Sequence, residues 1–279
     1  MSAHDEYAAT AGFHLENPEA AEVLVLLHGL GADHRQPLDL IDGWDAEGLA
    51  VLAPDARAHG DTAVIGERPD FRFESLLRDL QALMARLGQT GKPIHLVGIS
   101  MGSAVALRAA LGRDLDVRSL TLVRPAFTDV PLPPNLRVMA RIGDLLRTGD
   151  DPADARARFV RSRAYREVAD TSPLGGASLL SQFDAPLAVE RSVRLRSVPR
   201  NAAYSGVREL GSLSVPTLVI GTERDPVHPL PLAYGWSVAI PGSRFATIPP
   251  RDEDPAASAA RQRALVIDHI AASKAASWR

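Results

Sequence analysis

The chain has 279 residues, of which 46% are hydrophobic and 23% are charged, and its formal net charge at pH 7 is -3. These totals are those of an ordinary globular protein with a sizeable core, and they exclude a disordered chain and give no reason to expect a nucleic-acid partner. Because there is no cysteine, disulfides, thiolate metal sites and a cysteine nucleophile are excluded.

The N-terminal stretch MSAHDEYAAT has neither a basic region nor an apolar centre, so it does not predict a signal peptide. No apolar run approaches the ~18 residues that a membrane-spanning helix needs. We therefore expect a cytoplasmic protein that has no membrane partner. The sequence does not indicate an oligomeric state.

Apolar runs and helical patterns alternate in the first half of the chain. The runs EVLVLLHG, LAVLAPDA, IHLVGIS and SLTLVRP predict strands at 22–29, 49–56, 94–100 and 119–125. Helical patterns lie at 73–88 and 101–112. Near-continuous apolar strands that alternate with helices are typical of a parallel sheet covered on both faces, so we predict an α/β fold.

The alternation stops at the proline-rich stretch TDVPLPPN, residues 128–135, and helical patterns without a convincing strand follow it. One of these predicts a single helix over 151–170. Strands return at 216–223 and 243–250, with a helix after each. The prediction is a core formed by residues 1–128 and 213–279, with a helical cap at 129–212 inserted into it.

A serine lies between two glycines where the third predicted strand turns into a helix. Gly98-Ile99-Ser100-Met101-Gly102 is a G-x-S-x-G motif. A serine nucleophile must stand clear of the backbone at a helix N-terminus, and the sharp turn that places it there needs small residues two positions away on either side. The motif indicates that Ser100 is a nucleophile; the alternative is a tight structural turn.

The end of the first predicted strand carries a second motif, His28-Gly29-Leu30-Gly31. Glycines at this place let the backbone N–H of Leu30 face the site, where it and the N–H of Met101 would form an oxyanion hole. The alternative is an ordinary glycine turn after a strand.

These motifs resemble the α/β-hydrolase superfamily over nearly the whole chain. The resemblance implies an α/β-hydrolase fold with a helical cap, and a catalytic acid at Asp225, with Glu223 as second choice. In the stretch APDARAHGDT it implies mainly structural residues. The matching pieces are HGLG, APDARAHGDT, GISMGS and GTERDPVHP, at 28–31, 53–62, 98–103 and 221–229.

The chain departs from the superfamily pattern at the histidine, which members carry in the loop after the last strand. That loop reads Ile-Pro-Pro-Arg-Asp-Glu-Asp-Pro here, and the one later histidine, His269, lies inside the terminal helical pattern. His228, three residues after Asp225, is our candidate for the general base, ahead of His28 and His34. Either Asp225, through a rearranged turn, or Asp252 would orient His228.

Three further residues are candidates for substrate binding: His28 beside the oxyanion turn, Arg124 at the end of a strand, and Arg251 where the histidine is missing. An arginine cannot act as a general base, but it binds a carboxylate or phosphate bidentately. The alternative for Arg251 is a solvated charged loop. For the many arginines of the cap we expect a solvated face. The scattered histidines predict no metal site.

The sequence therefore predicts a serine-dependent hydrolase or acyl-transfer enzyme that acts on a small organic ester, lactone or thioester. Ser100 would attack, Asp225 and His228 would supply acid and base, and no cofactor would be needed. The main alternative is a non-hydrolytic protein of the same fold, a biosynthetic enzyme or small-ligand binder, that has lost the histidine. A purely structural or interaction module is a third hypothesis, which would leave both motifs unexplained.

Overall fold

The computed structural model describes residues 2–148 and 151–277. Residues 149 and 150 of the predicted cap lie outside this range. The described strands are β1 Phe13–Glu16, β2 Glu22–Leu27, β3 Leu49–Pro54, β4 Ile94–Ile99, β5 Val117–Val123, β6 Thr217–Thr222 and β7 Arg244–Ile248. They form one sheet in the order β1-β3-β2-β4-β5-β6-β7, in which β1 is antiparallel to β3 and every other pairing is parallel.

The helices cover both faces of this sheet and fill the interval between β5 and β6. Within the described ranges they are α1 Ala3–Thr10, α2 Arg35–Leu38, α3 Phe73–Arg86, α4 Met101–Gly112, α5 Arg137–Arg147, α6 Pro152–Val160, α7 Arg163–Ala169, α8 Pro173–Asp184, α9 Ser192–Ser197, α10 Val207–Leu210, α11 Leu230–Ala239 and α12 Pro255–Ser277, with short 3-10 turns at Arg68–Phe71, Pro134–Leu136 and Val198–Arg200. No described helix has both the length and the apolar character needed to cross a membrane.

Two apolar clusters lie on opposite faces of the sheet, because successive side chains of a strand point to opposite sides. Val23 and Val25 of β2 pack with α3, α4 and α11, while Leu24 and Leu26 pack with the chain around α2 and with α12. Burial on both faces explains why β2 to β6 read as continuous apolar runs. The predicted α/β fold is confirmed.

The structure differs from the sequence prediction at two places. The single helix expected over 151–170 is two helices, because the side chain of Ser162 accepts the N–H of Tyr165 and starts α7 anew. The N-terminal segment, for which no element was predicted, forms α1 and the edge strand β1. Ser2 and Asp5 form a capping box at the start of α1, a signal that the sequence does contain.

The topology brings the chemistry to one edge of the sheet. From β2 the chain crosses to β3 on one side of β2, and after β3 it crosses back to β4 on the other side. The neighbouring strands β2 and β4 are therefore followed by connections that run in opposite directions. A crevice opens at such a point outside the carboxyl ends of the strands. Leu27, which ends β2, pairs with Gly98 of β4, and the turns after both strands therefore lie side by side.

The helices α5 to α9 share a separate apolar cluster where the cap was predicted. Ile142, Leu146, Phe159, Phe183 and Leu195 are among its buried members, and Leu30 and Val227 from the sheet edge pack against it. These helices thus cover the carboxyl edge of the sheet. That they form a distinct domain with boundaries at 129 and 212 stays a prediction.

Candidate active site

Ser100 occupies the turn between β4 and α4 in a conformation that residues other than glycine rarely adopt, with φ 53° and ψ -106°. A side-chain carbon on Gly98 would collide with the carbonyl of Gly102, and one on Gly102 would collide with the carbonyl of Leu27. Both glycines of the motif are therefore required by the close approach of backbone. The turn places the Ser100 side chain at the N-terminus of α4.

A hydrogen-bonded chain links Ser100 to His228 and Asp225. The Ser100 Oγ lies 2.9 Å from His228 Nε2, and His228 Nδ1 lies 2.9 Å from Asp225 Oδ2. Because an ionised carboxylate only accepts, Nδ1 carries the proton and donates it to Asp225. The Nε2 lone pair then faces the serine hydroxyl.

The spacing of three residues between acid and base is made possible by a tight turn. Asp225 Oδ1 accepts the backbone N–H groups of Val227 and His228, both at 3.1 Å, while its other oxygen accepts from the His228 ring. One carboxylate thus shapes the turn and orients the ring that the turn carries. The rearranged turn that the sequence left open is the observed arrangement.

The environment of Asp225 keeps it ionised. Burial acts to raise the pKa of this carboxyl, but the charge and hydrogen bonds of His228 and the nearby guanidinium of Arg124 outweigh burial and lower its pKa well below the usual range. A group that is ionised at neutral pH holds the His228 ring and stabilises it when it becomes positively charged.

The backbone around Ser100 offers two N–H groups that have no acceptor in the described chain, those of Leu30 and Met101. Their neighbours are occupied: the N–H of Gly102 donates to the His28 carbonyl at 3.1 Å, and that of Gly29 donates to Gln36 Oε1 at 2.7 Å. The Gly29 turn lies against Ser100, since a side-chain carbon on Gly29 would come 3.6 Å from Ser100 Cβ.

The other candidate histidines are committed elsewhere. Buried His28 has both ring nitrogens on backbone groups, Nδ1 with the Gly29 carbonyl at 2.8 Å and Nε2 with the Ala56 N–H at 3.0 Å. Neither ring nitrogen is free for a substrate and His28 does not line the cleft around Ser100, so its role in substrate binding stays a prediction. His34 Nδ1 contacts Asp55 at 3.0 Å. His269, for which we expected a surface or partly buried position in the terminal helix, is buried, with its Nε2 3.3 Å from the Pro216 carbonyl.

The alternative acids do not reach His228. Both oxygens of Asp252 bind the start of α8, accepting the Ser172 hydroxyl at 2.5 Å and the Leu174 N–H at 2.7 Å. Glu223 is exposed to solvent. The hypothesis that Asp252 orients the base is wrong because its two oxygens bind the cap, and Asp225 holds the His228 ring instead.

Ser100 lines a cleft of about 690 Å³, a volume that includes the part open to solvent. Apolar side chains from the cap and the sheet edge line it, together with Gln36, Arg124 and Arg251. The apolar lining residues are Leu30, Ile99, Phe127, Leu136, Met139, Leu179 and Val227.

Several contributors to this region were not recognised in the sequence. Gln36 holds the Gly29 turn, and the cap supplies Met139 and Leu179, but these residues carry no local motif. The expected solvated face of the cap is also wrong for Arg194, which is buried and donates to the Ala58 carbonyl at 2.6 Å. Burial, with the charge of a neighbouring arginine, lowers the pKa of Arg194 to about 10.

The scattered histidines and carboxylates meet at one place in the described chain, where Asp33, His34 and Asp55 place potential metal-ligand atoms within 4.8 Å of one another. Asp55 already accepts the backbone N–H groups of His34 and Asp61. These hydrogen bonds fasten the loops after β2 and β3 to each other, and none of the three residues lines the cleft.

A family model described as "alpha/beta hydrolase fold" matches residues 22–251. The chain is similar to 3-oxoadipate enol-lactonase 1 from Acinetobacter baylyi, with 26% identity over 78% of this chain and 77% of that protein. It is 36% identical to the sn-1-specific diacylglycerol lipase ABHD11 of Mus musculus, over 39% of this chain but only 34% of that protein.

Solved structures of the same fold superpose over nearly the whole chain. The enol-lactonase from Burkholderia xenovorans gives a TM-score of 0.68 at 21% identity, with 94% of this chain and 96% of that one covered. MenH from S. aureus gives a TM-score of 0.69 at 18% identity, with 95% and 99% covered. At these identities the likeness concerns the fold.

Proposed function

The chain belongs to the alpha/beta hydrolase fold family, and from this premise we propose that it is a serine-dependent hydrolase or acyl-transfer enzyme acting on a small organic ester, lactone or thioester. The observation that carries the proposal is the continuous hydrogen-bonded chain from Ser100 through His228 to Asp225. The name of the enol-lactonase relative from Acinetobacter baylyi supports including lactones among the candidate substrates.

In the proposed first step, the Ser100 Oγ attacks the substrate carbonyl while its proton moves to His228 Nε2. The carbonyl oxygen becomes an oxyanion, and the backbone N–H groups of Leu30 and Met101 donate hydrogen bonds to it. Asp225 stabilises the imidazolium that forms. When the tetrahedral intermediate collapses, the bond to the leaving group breaks and His228 returns the proton to the departing oxygen or sulfur.

The second step releases the acyl group from Ser100. His228 takes a proton from water, or from an acceptor alcohol, as that oxygen attacks the acyl carbonyl. Collapse of the second intermediate breaks the ester bond to Ser100, and His228 returns its proton to the Ser100 Oγ, which restores the hydroxyl. These steps use side chains and backbone N–H groups alone, so the proposed chemistry needs no cofactor.

The non-hydrolytic alternative depended on the loss of the general base. His228 lies within hydrogen-bonding distance of Ser100, although it is outside the loop where the superfamily carries its histidine. No observation in the described chain favours that alternative or a purely structural module over the hydrolase. Cytoplasmic location stays a prediction.

The test is turnover of short-chain activated esters and thioesters by the wild type, Ser100→Ala and His228→Asn. Each variant should lower kcat by at least about 10³-fold, because members of such a triad act as a unit. His14→Asn is the matched control, since His14 lies on the exposed edge strand, and it should retain wild-type turnover. Equal rates in the wild type and Ser100→Ala across the panel would contradict the proposal.

A further inference from the structure

Arg124 is a buried cation beside the triad whose hydrogen-bonding capacity is not used. Only 7% of the residue is exposed, and its Nε has no hydrogen-bond acceptor in the part of the chain that the structure describes. Its ion pair with Asp225 is long, at 3.7 Å, because both oxygens of that carboxylate are bonded to His228 and the turn. The residue also has a φ of 48°, a strain that clusters at functional sites.

Arg251 brings a second guanidinium to the same cleft. It follows β7, and neither a hydrogen bond nor an ion pair ties it to another described residue. Arg251 and Arg124 both line the catalytic cleft and also a groove that continues from it toward α12. Gln36 and Ile99 are the other residues shared by the two, so the arginines stand at the boundary between cleft and groove.

The charges of the cleft do not balance. Asp225 is the one acidic residue among its described lining residues, whereas Arg124 and Arg251 each carry a positive charge. Within the lining of the cleft, one of the two guanidinium groups therefore has no acidic partner. A cation that is shielded from water gains from an anionic partner, and a monoanion bound here would supply that partner.

We propose that the substrate carries a carboxylate, which Arg124 and Arg251 bind at the boundary of cleft and groove while the scissile carbonyl lies at Ser100. The proposal rests on the hydrolase function proposed above and adds the substrate class. A guanidinium matches a carboxylate in shape and binds it through two parallel hydrogen bonds. A single negative charge also balances the cleft, which a dianion would overcompensate.

The test compares two activated esters of nearly equal shape, 4-nitrophenyl hydrogen adipate and its neutral counterpart 4-nitrophenyl 6-oxoheptanoate. The wild type should prefer the anionic ester in kcat/KM by about 10-fold or more. Arg251→Gln should lower that ratio by about 10-fold, and Arg251→Lys should retain part of it as a point charge. Arg261→Gln, an exposed arginine of α12, is the control and should keep the wild-type ratio.

A binding measurement separates this proposal from the hydrolase function. Monomethyl adipate should bind the Ser100→Ala protein in calorimetry at least about 10-fold more tightly than dimethyl adipate, and adding Arg251→Gln should abolish the difference. Failure to hydrolyse either ester would contradict the hydrolase function and leave calorimetry to decide on the anion site. Equal hydrolysis of both esters would overturn the anion site alone, as would preference for 4-nitrophenyl 5-phosphonopentanoate.

Discussion

At the scale of single residues, the position of the general base distinguishes this chain. The acid and the base come from one turn after β6, with Asp225 bonded both to the His228 ring and to the backbone that carries it. The loop after the last strand therefore does not need to supply a histidine. Its Arg251 lines the cleft, and its Asp252 binds the start of the cap helix α8.

Replacement of the acid tests its assignment directly. Asp225→Asn should lower kcat by about 10²- to 10⁴-fold, because an amide no longer fixes the His228 tautomer or stabilises its charged form. Glu223→Gln is the matched control from the same strand end, and we expect wild-type turnover because this side chain is exposed. If Glu223→Gln shows the larger loss in ester turnover, the assignment of Asp225 is wrong.

At the scale of elements, the turn between β4 and α4 depends on two glycines packed against backbone. A carbon added at Gly98 meets the carbonyl of Gly102, which cannot move without displacing α4. The position of Ser100 therefore follows from the contact between one helix and two strands, and not from the serine itself.

The Gly98→Ala variant should unfold at lower urea concentration, with a loss of about 3 kcal/mol or more in the free energy of unfolding or failure to fold. Gly235→Ala in α11 is the control, because no atom lies within 4 Å of the added carbon. That control should stabilise the protein by up to about 1 kcal/mol, since alanine favours a helix interior over glycine. Equal stability of the two variants would contradict the packing argument.

The loop after β7 and the cap helix α8 are joined by Asp252. Asp252→Ala should lower the free energy of unfolding by about 1–2 kcal/mol, because the Leu174 N–H and the Ser172 hydroxyl both lose their acceptor. Glu253→Ala breaks only an exposed ion pair with Arg224 and should cost less than about 1 kcal/mol. Urea titrations of both variants measure the difference, and a larger loss from Glu253→Ala would contradict this role of Asp252.

At the scale of the whole molecule, the fold buries histidines in their neutral form. His28 and His59 lie with ring centroids 4.8 Å apart, and burial lowers the pKa of each below its ordinary 6.5. Burial likewise lowers the pKa of His95 and His269. Above about pH 6.5 these rings are mostly neutral in both the folded and the unfolded state. The two states bind different numbers of protons mainly below that pH.

Stability should therefore fall as the pH is lowered. Below the pKa of an unfolded histidine, the unfolded chain binds protons that the folded chain excludes. The contribution of His28 and His59 should therefore lower the free energy of unfolding by about 1–3 kcal/mol between about pH 6.5 and about pH 5. Urea titrations across this range measure the slope. His59→Gln should make it shallower, whatever its effect at neutral pH; an unchanged slope would contradict the role of His59.

Much of this arrangement could be predicted from the sequence, because it depends on local patterns. Continuous apolar runs indicate strands that are buried on both faces. The glycines around Ser100 indicate a tight turn, because its steric requirements fall on residues close in sequence. The resemblance to the superfamily placed Asp225 at the end of β6. The edge strand β1 was missed because it is short and half-exposed, without the apolar run of a central strand.

The tertiary structure alone decided which histidine meets the serine. Ser100 and His228 are separated by 128 positions, and their 2.9 Å contact exists because β4, β5 and β6 are adjacent and end at the same edge of the sheet. Likewise, His28 is excluded by backbone groups of two different loops. Local sequence determines strands, helices and turns through short-range sterics and periodicity, whereas the partners of a side chain depend on which strands pair, and that is a property of the folded sheet.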